Sequence, residues 1–127
     1  MLKDAAAGFL AGRATVSHLR KLRDSNDETG FDPAVWREMA DMGWAGIAIA
    51  EAYGGLGYGY TGLGLVLEQA GRNLRASPLE SSVLVAATAL AELGTEAQKE
   101  CWLPAIASGD KILTLALQEN PHHAPLR

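Results

Sequence analysis

The chain has 127 residues and a mass of 13.4 kDa, room for one domain with its own core and too little for two at ~100–200 residues each. Hydrophobic residues make up 48%, charged residues 20%, and the mean hydropathy is +0.01, the balance of a globular rather than a disordered chain. A formal charge of −4, from 11 Lys and Arg against 15 Asp and Glu, speaks against phosphate-driven nucleic-acid binding and against an anionic membrane surface.

The 22 Ala and 18 Leu outweigh 5 Val, 4 Ile and 6 Thr, which favours helix because β-branched residues lose more freedom there. Leu2, Ala5, Ala6, Phe9 and Leu10, continued by Val16, Leu19 and Leu22, predict one or two helices over 2–23. His18, Arg20, Lys21 and Arg23 crowd the end of that stripe, where cations suit exposed helix carbonyls. Asp32 before Pro33 is a helix start, and Gly43 a stop just beyond Met42, with Trp36, Met39 and Ala40 facing inward. Gly54, Gly55, Gly57 and Gly59 then mark a backbone-driven loop.

Thr61 is placed to cap a third helix with Leu63, Val66, Leu67, Ala70 and Leu74 on one face. Pro78 opens a fourth, with Leu79, Val83, Ala86, Ala87 and Leu90 inward and Gly94 closing it. Thr95 and Gln98 form a capping box for a fifth, which Pro104 is expected to interrupt before a turn at Ser108-Gly109-Asp110. Ile112 to Gln118 reads as extended, with Leu113, Leu115 and Leu117 on one side. A lone strand is not a stable element, so it either lies on the helices as an arm or pairs with strands outside these residues. The fold class predicted is all-α, an orthogonal or up-down bundle of about five helices with a terminal extended segment.

Few residues advertise chemistry. The glycine run at 54–59 lacks the spacing of a phosphate loop and reads as a turn between helices. His122 and His123 are adjacent and nothing nearby completes a metal ligand set, so no metal is expected. Cys101 has no partner for an internal disulfide and reads as a small helix residue; with His18 it makes a nucleophile and base only if the fold joins them. Single-cysteine usage suits a reducing compartment, no apolar run approaches the ~20 residues of a membrane span, and the amino terminus lacks signal-peptide order, so a cytoplasmic location is expected.

Four stretches together resemble the amino-terminal helical domain of the acyl-CoA dehydrogenases: Phe31-Asp32-Pro33 with Trp36, the run from Met42-Gly43-Trp44 to Tyr53-Gly54-Gly55-Leu56-Gly57, Gly94-Thr95-Glu96-Ala97-Gln98-Lys99, and Trp102-Leu103-Pro104 to Ser108-Gly109. Their order and spacing cover nearly the whole chain. The resemblance implies a helical domain over 1–111 and the start of a middle β domain over 112–127, within a longer chain. It implies α,β-dehydrogenation of an acyl-CoA thioester, with FAD as hydride acceptor and an electron-transfer flavoprotein beyond it, in a homo- or hetero-oligomer.

In that family a glutamate of the carboxyl-terminal domain removes the α-proton, so no catalytic residue is assigned in these 127 residues. The resemblance assigns Ser81, Ser82 and Val85 to one wall of the acyl pocket and Leu115, Leu117 and Gln118 to flavin contacts. Two departures stand out. Gln118-Glu119-Asn120-Pro121-His122-His123 replaces the usual Thr-Glu-Pro and Gly-Ser-Asp pattern, leaving the pyrophosphate contacts unassigned, and Ala50 stands where a proline is common. They open a second reading, a degenerate subunit of a heteromeric dehydrogenase; a stand-alone helical interaction module is the alternative of another class. On the leading reading the 127 residues alone neither hold FAD tightly nor turn over substrate.

Overall fold

Helix propensity and apolar periodicity resolve, in a computed structural model that describes residues 1–13 and 15–116, into six α-helices and no strand among the described residues. They are α1 (Leu2–Arg13), α2 (Val16–Asp24), α3 (Pro33–Asp41), α4 (Gly59–Arg72), α5 (Ala87–Leu93) and α6 (Glu96–Ala107). A π-helical segment, Leu79–Ala86, runs directly into α5, and 3-10 turns at Trp44–Gly46 and Glu51–Tyr53 lead into the glycine loop. The first apolar stripe is therefore two helices, α2 opening at an extended Thr15.

Local capping chemistry sets several boundaries. The Asp32 carboxylate accepts from the amides of Ala34 and Val35 at 2.9 and 3.3 Å, and the Thr95–Gln98 box is complete in both directions. Gly43 ends α3 in the left-handed conformation.

Burial divides into two connected groups. The larger is built around Leu10, Met39, Ile47, Leu63 and Val66, with Phe9 edge-on to Trp44 at 5.3 Å. The smaller joins Ile49, Ala87, Leu103, Ile106 and Ala107. In contrast α2 buries no side chain; His18 Nε2 meets Asp32 Oδ2 at 3.2 Å.

Three expectations are corrected. Thr61 caps nothing: α4 starts at Gly59, because the amides of Leu56, Gly57 and Tyr58 donate to the carbonyls of Gly46, Ile49 and Ile47 at 2.9 Å each and deliver the chain to the helix early. Leu74 is 57% exposed rather than inward, since α4 ends at Arg72 and the chain turns through Leu74 at a φ of +49°. Pro104 does not interrupt α6, which continues to Ala107; Leu103, Ile106 and Ala107 are buried on both sides of the proline, and their packing outweighs one lost helical bond. Residues 111–116 pair with no strand among the described residues and Leu113 packs on the smaller core group, as the arm alternative has it; Leu117 to Arg127, with His122 and His123, lie outside the described residues.

Candidate functional site

The glycine loop is committed to holding the fold. A Cβ on Gly55 would lie 2.0 Å from the carbonyl oxygen of Ile49, so only glycine lets the loop close against that turn. The amides of residues 54–58 all donate to carbonyls of residues 46–51. Donors spent in this way are not free to cradle a phosphate.

The helix from Leu79 to Leu93 separates the three wall residues expected on it. Val85 is exposed and Ser81 half-buried, its hydroxyl donating weakly to the Pro78 carbonyl at 3.4 Å. Ser82, by contrast, is fully buried, and its Oγ accepts from the Leu113 amide at 3.2 Å. The Ser82 side chain thus stands behind the exposed face, tied to the exit segment.

That exit is fastened at both ends of its turn. Trp36 Nε1 donates to the Gly109 carbonyl at 3.1 Å and Arg37 to the Ser108 carbonyl at 3.0 Å. Arg37 also pairs with Asp110 at 2.9 Å. The Asp110 carboxyl is held below its ordinary range, first by the Ser108 hydroxyl and then by Arg37. Beyond the turn, Leu113 packs on the smaller core group while Leu115 is 42% exposed. Leu113, Thr114 and Leu115 meet Ala86, Leu90 and Leu93 in an open, mainly apolar groove of about 330 Å³. The fold therefore brings the described part of the exit, Leu115, beside the helix that carries Ser81 and Val85; Leu117 and Gln118 lie outside the described residues.

A second cavity, about 290 Å³, opens between the same helix and α6, floored by Ile49, Val83, Ala87 and Leu103. At its rim Tyr53 donates to Glu96 at 3.0 Å, Lys99 pairs with Glu96 at 2.9 Å, and Tyr60 donates to Thr88 at 3.2 Å. Lys99 and then Tyr53 lower the Glu96 carboxyl from its usual value, and Glu96 in turn raises Lys99 and Tyr53. Sequence reading passed over this cluster, although the Thr95 box already placed Glu96 and Lys99 one turn apart. Elsewhere Cys101 is exposed on α6 and His18 is engaged with Asp32. Among the described residues no three His, Cys, Asp or Glu side chains gather as a metal site, and no helix is long and apolar enough to cross a membrane.

Such an arrangement defines a helical domain that offers an apolar groove where the chain leaves it. Residues 1–110 match the family model for the acyl-CoA dehydrogenase N-terminal domain, and the chain belongs to that family. It is 36% identical over 113 residues to acyl-CoA dehydrogenase FadE27 of Mycobacterium tuberculosis, covering 89% of this chain and 30% of that one. The ChsE4–ChsE5 complex from Mycobacterium tuberculosis superposes with a TM-score of 0.84 at 34% identity over 98% of this chain and 34% of that one. A variant of the Tcur3481–Tcur3483 steroid ACAD gives 0.82 at 39% identity, covering 93% and 32%. The chain spans about 30% of the length of the relatives it matches.

Proposed function

We propose that this domain works within an FAD-dependent acyl-CoA dehydrogenase, where it supplies one wall of the acyl pocket and a shelf beside the flavin. The observation that carries the reading is the groove between Leu90 and Leu113–Leu115, formed on the same Leu79–Leu93 helix that bears Ser81 and Val85, in a chain matched to the family from end to end of its helices. In this assignment Ser81 and Val85 face the acyl chain and Ser82 backs them, while Leu115, Leu117 and Gln118 line the flavin edge.

The groove suits part of that cofactor only. Among the described residues its lining is aliphatic apart from Thr114 and backbone, with no cation, which fits the edge of a flat apolar ring and not a pyrophosphate. When bound, FAD supplies the hydride acceptor for α,β-dehydrogenation. The residues of this chain exclude water from that face and fix the acyl chain beside it. The base comes from the carboxyl-terminal domain and an electron-transfer flavoprotein serves as acceptor, while the pyrophosphate contacts stay unassigned. The full-length protein should purify with bound flavin and reduce an artificial acceptor with an acyl-CoA substrate. A full-length protein that takes up no flavin contradicts the reading.

A second reading, one subunit of a heteromeric dehydrogenase, is favoured by two similar structures, the ChsE4–ChsE5 complex and the Tcur3481–Tcur3483 variant, each named as a pair of components. Activity that appears only on adding a partner chain, with this chain colourless, would select it over a self-sufficient enzyme. A cytoplasmic location belongs to either reading.

A further inference from the structure

We propose that Ser82 is a positioning residue, whose buried hydroxyl fixes the Leu113 backbone and so sets the register of the flavin-side segment against the acyl-pocket wall; this rests on the function proposed above. A fully buried hydroxyl needs a partner. Ser82 finds it 31 residues away, in the Leu113 amide at 3.2 Å.

The other ties on this stretch come earlier in the chain. Lys111 donates to the Ala105 carbonyl at 3.0 Å, and the contacts from Trp36 and Arg37 act at residues 108–110. They anchor the turn to α3 and α6. Ser82 anchors the segment that departs from it, to a third element. Its own backbone is unusual: it lies within the π-helical Leu79–Ala86, with its carbonyl accepting from the Ala87 amide five residues on. Wide turns of this kind are unfavourable in isolation and recur at functional sites. Ser82 thus joins, through one side chain, the turn bearing Ser81 and Val85 to the segment bearing Leu115. Hydride transfer demands reacting atoms about 3–3.5 Å apart, so an error in this register shows in turnover before it shows in binding.

The experiment compares Ser82→Ala and Ser82→Cys in the flavin-loaded full-length enzyme; alanine empties the hydroxyl's place, whereas cysteine fills it with a slightly larger atom that accepts hydrogen bonds poorly. Hydrogen exchange of the peptide spanning Leu113 should accelerate roughly tenfold in both, with peptides around Met39 and Ile106 unchanged. The value of kcat should fall about tenfold or more, and KM for the acyl-CoA should stay within about twofold. Unchanged exchange at Leu113 overturns the clamp. Faster exchange with unaltered kcat leaves Ser82 a purely structural residue and overturns its positioning role. A full-length protein without flavin overturns the functional reading itself, and the exchange arm distinguishes that failure because exchange at Leu113 can be compared between wild type and variants whether or not flavin is bound.

Discussion

A Cβ built on Gly109 would lie 2.5 Å from the Cβ of Ala40, so α3 and the turn after α6 touch at a distance that only glycine permits. The same residue has a φ of +75° and its carbonyl accepts from Trp36. The entry to the exit segment is therefore fixed by backbone contact as well as by side chains.

Gly109→Ala should cost about 3 kcal/mol, combining the left-handed penalty with overpacking. Urea denaturation measures it, and Ala40→Gly in the same chain should recover the overpacking part. A loss under about 0.5 kcal/mol would show that the contact yields freely.

Leu74 closes α4 in the conformation that glycine usually supplies: its amide donates to Gly71 at 3.0 Å and the Arg75 amide to Ala70 at 2.9 Å. With its side chain mostly exposed, little burial is at stake. Leu74→Gly should stabilise the domain by about 0.5–1 kcal/mol, the relief of strain less the added freedom of the unfolded chain. Destabilisation in the same assay would mean that the Leu74 side chain contributes more than its exposure indicates.

The two threonines that the sequence offers as caps should part company. Thr95→Ala removes an acceptor and half of a capping box, for a loss of about 1 kcal/mol. Thr61→Ala should change stability by less than about 0.5 kcal/mol, because α4 begins before it. Equal effects at both positions would contradict the observed helix start.

Asp110 gives a pH dependence of defined sign. Its carboxyl is held below the ordinary aspartate value, chiefly by the Ser108 hydroxyl and then by Arg37. The stabilisation is therefore fully present above about pH 4, where an unfolded aspartate is ionised, and is lost as pH falls further. Asp110→Asn should flatten the acid limb of a stability profile while leaving its neutral-pH shape alone. An acid limb as steep as before in this variant would assign the effect to other carboxylates.

What the residues disclosed before the structure follows from the range of the forces involved. Asp32-Pro33, Gly43 and Thr95-Gln98 act within one helical turn, so their chemistry can be read from spacing alone. The start of α4 could not be, because bonds from the loop at 56–58 to carbonyls at 46–49 deliver the chain there. Pro104 misleads for a related reason: the packing that carries α6 through it comes from Ile49 and Ala87, distant in sequence. At the candidate site the helix of Ser81 and Val85 was recognisable through family resemblance, yet the inward turn of Ser82 was not. Periodicity gave Ser82 no apolar signal, and its partner is a backbone amide, which no side-chain pattern records.

If these helices serve an FAD-dependent acyl-CoA dehydrogenase, as proposed above, an acyl-CoA thioester must reduce the bound flavin. Anaerobic titration of the full-length, flavin-loaded protein with acyl-CoA thioesters reads that step. Stoichiometric bleaching of the oxidised flavin, with formation of the α,β-unsaturated thioester, is the expected result. A flavin that stays oxidised with every acyl-CoA, whether the protein is alone or joined to a partner subunit, would contradict it.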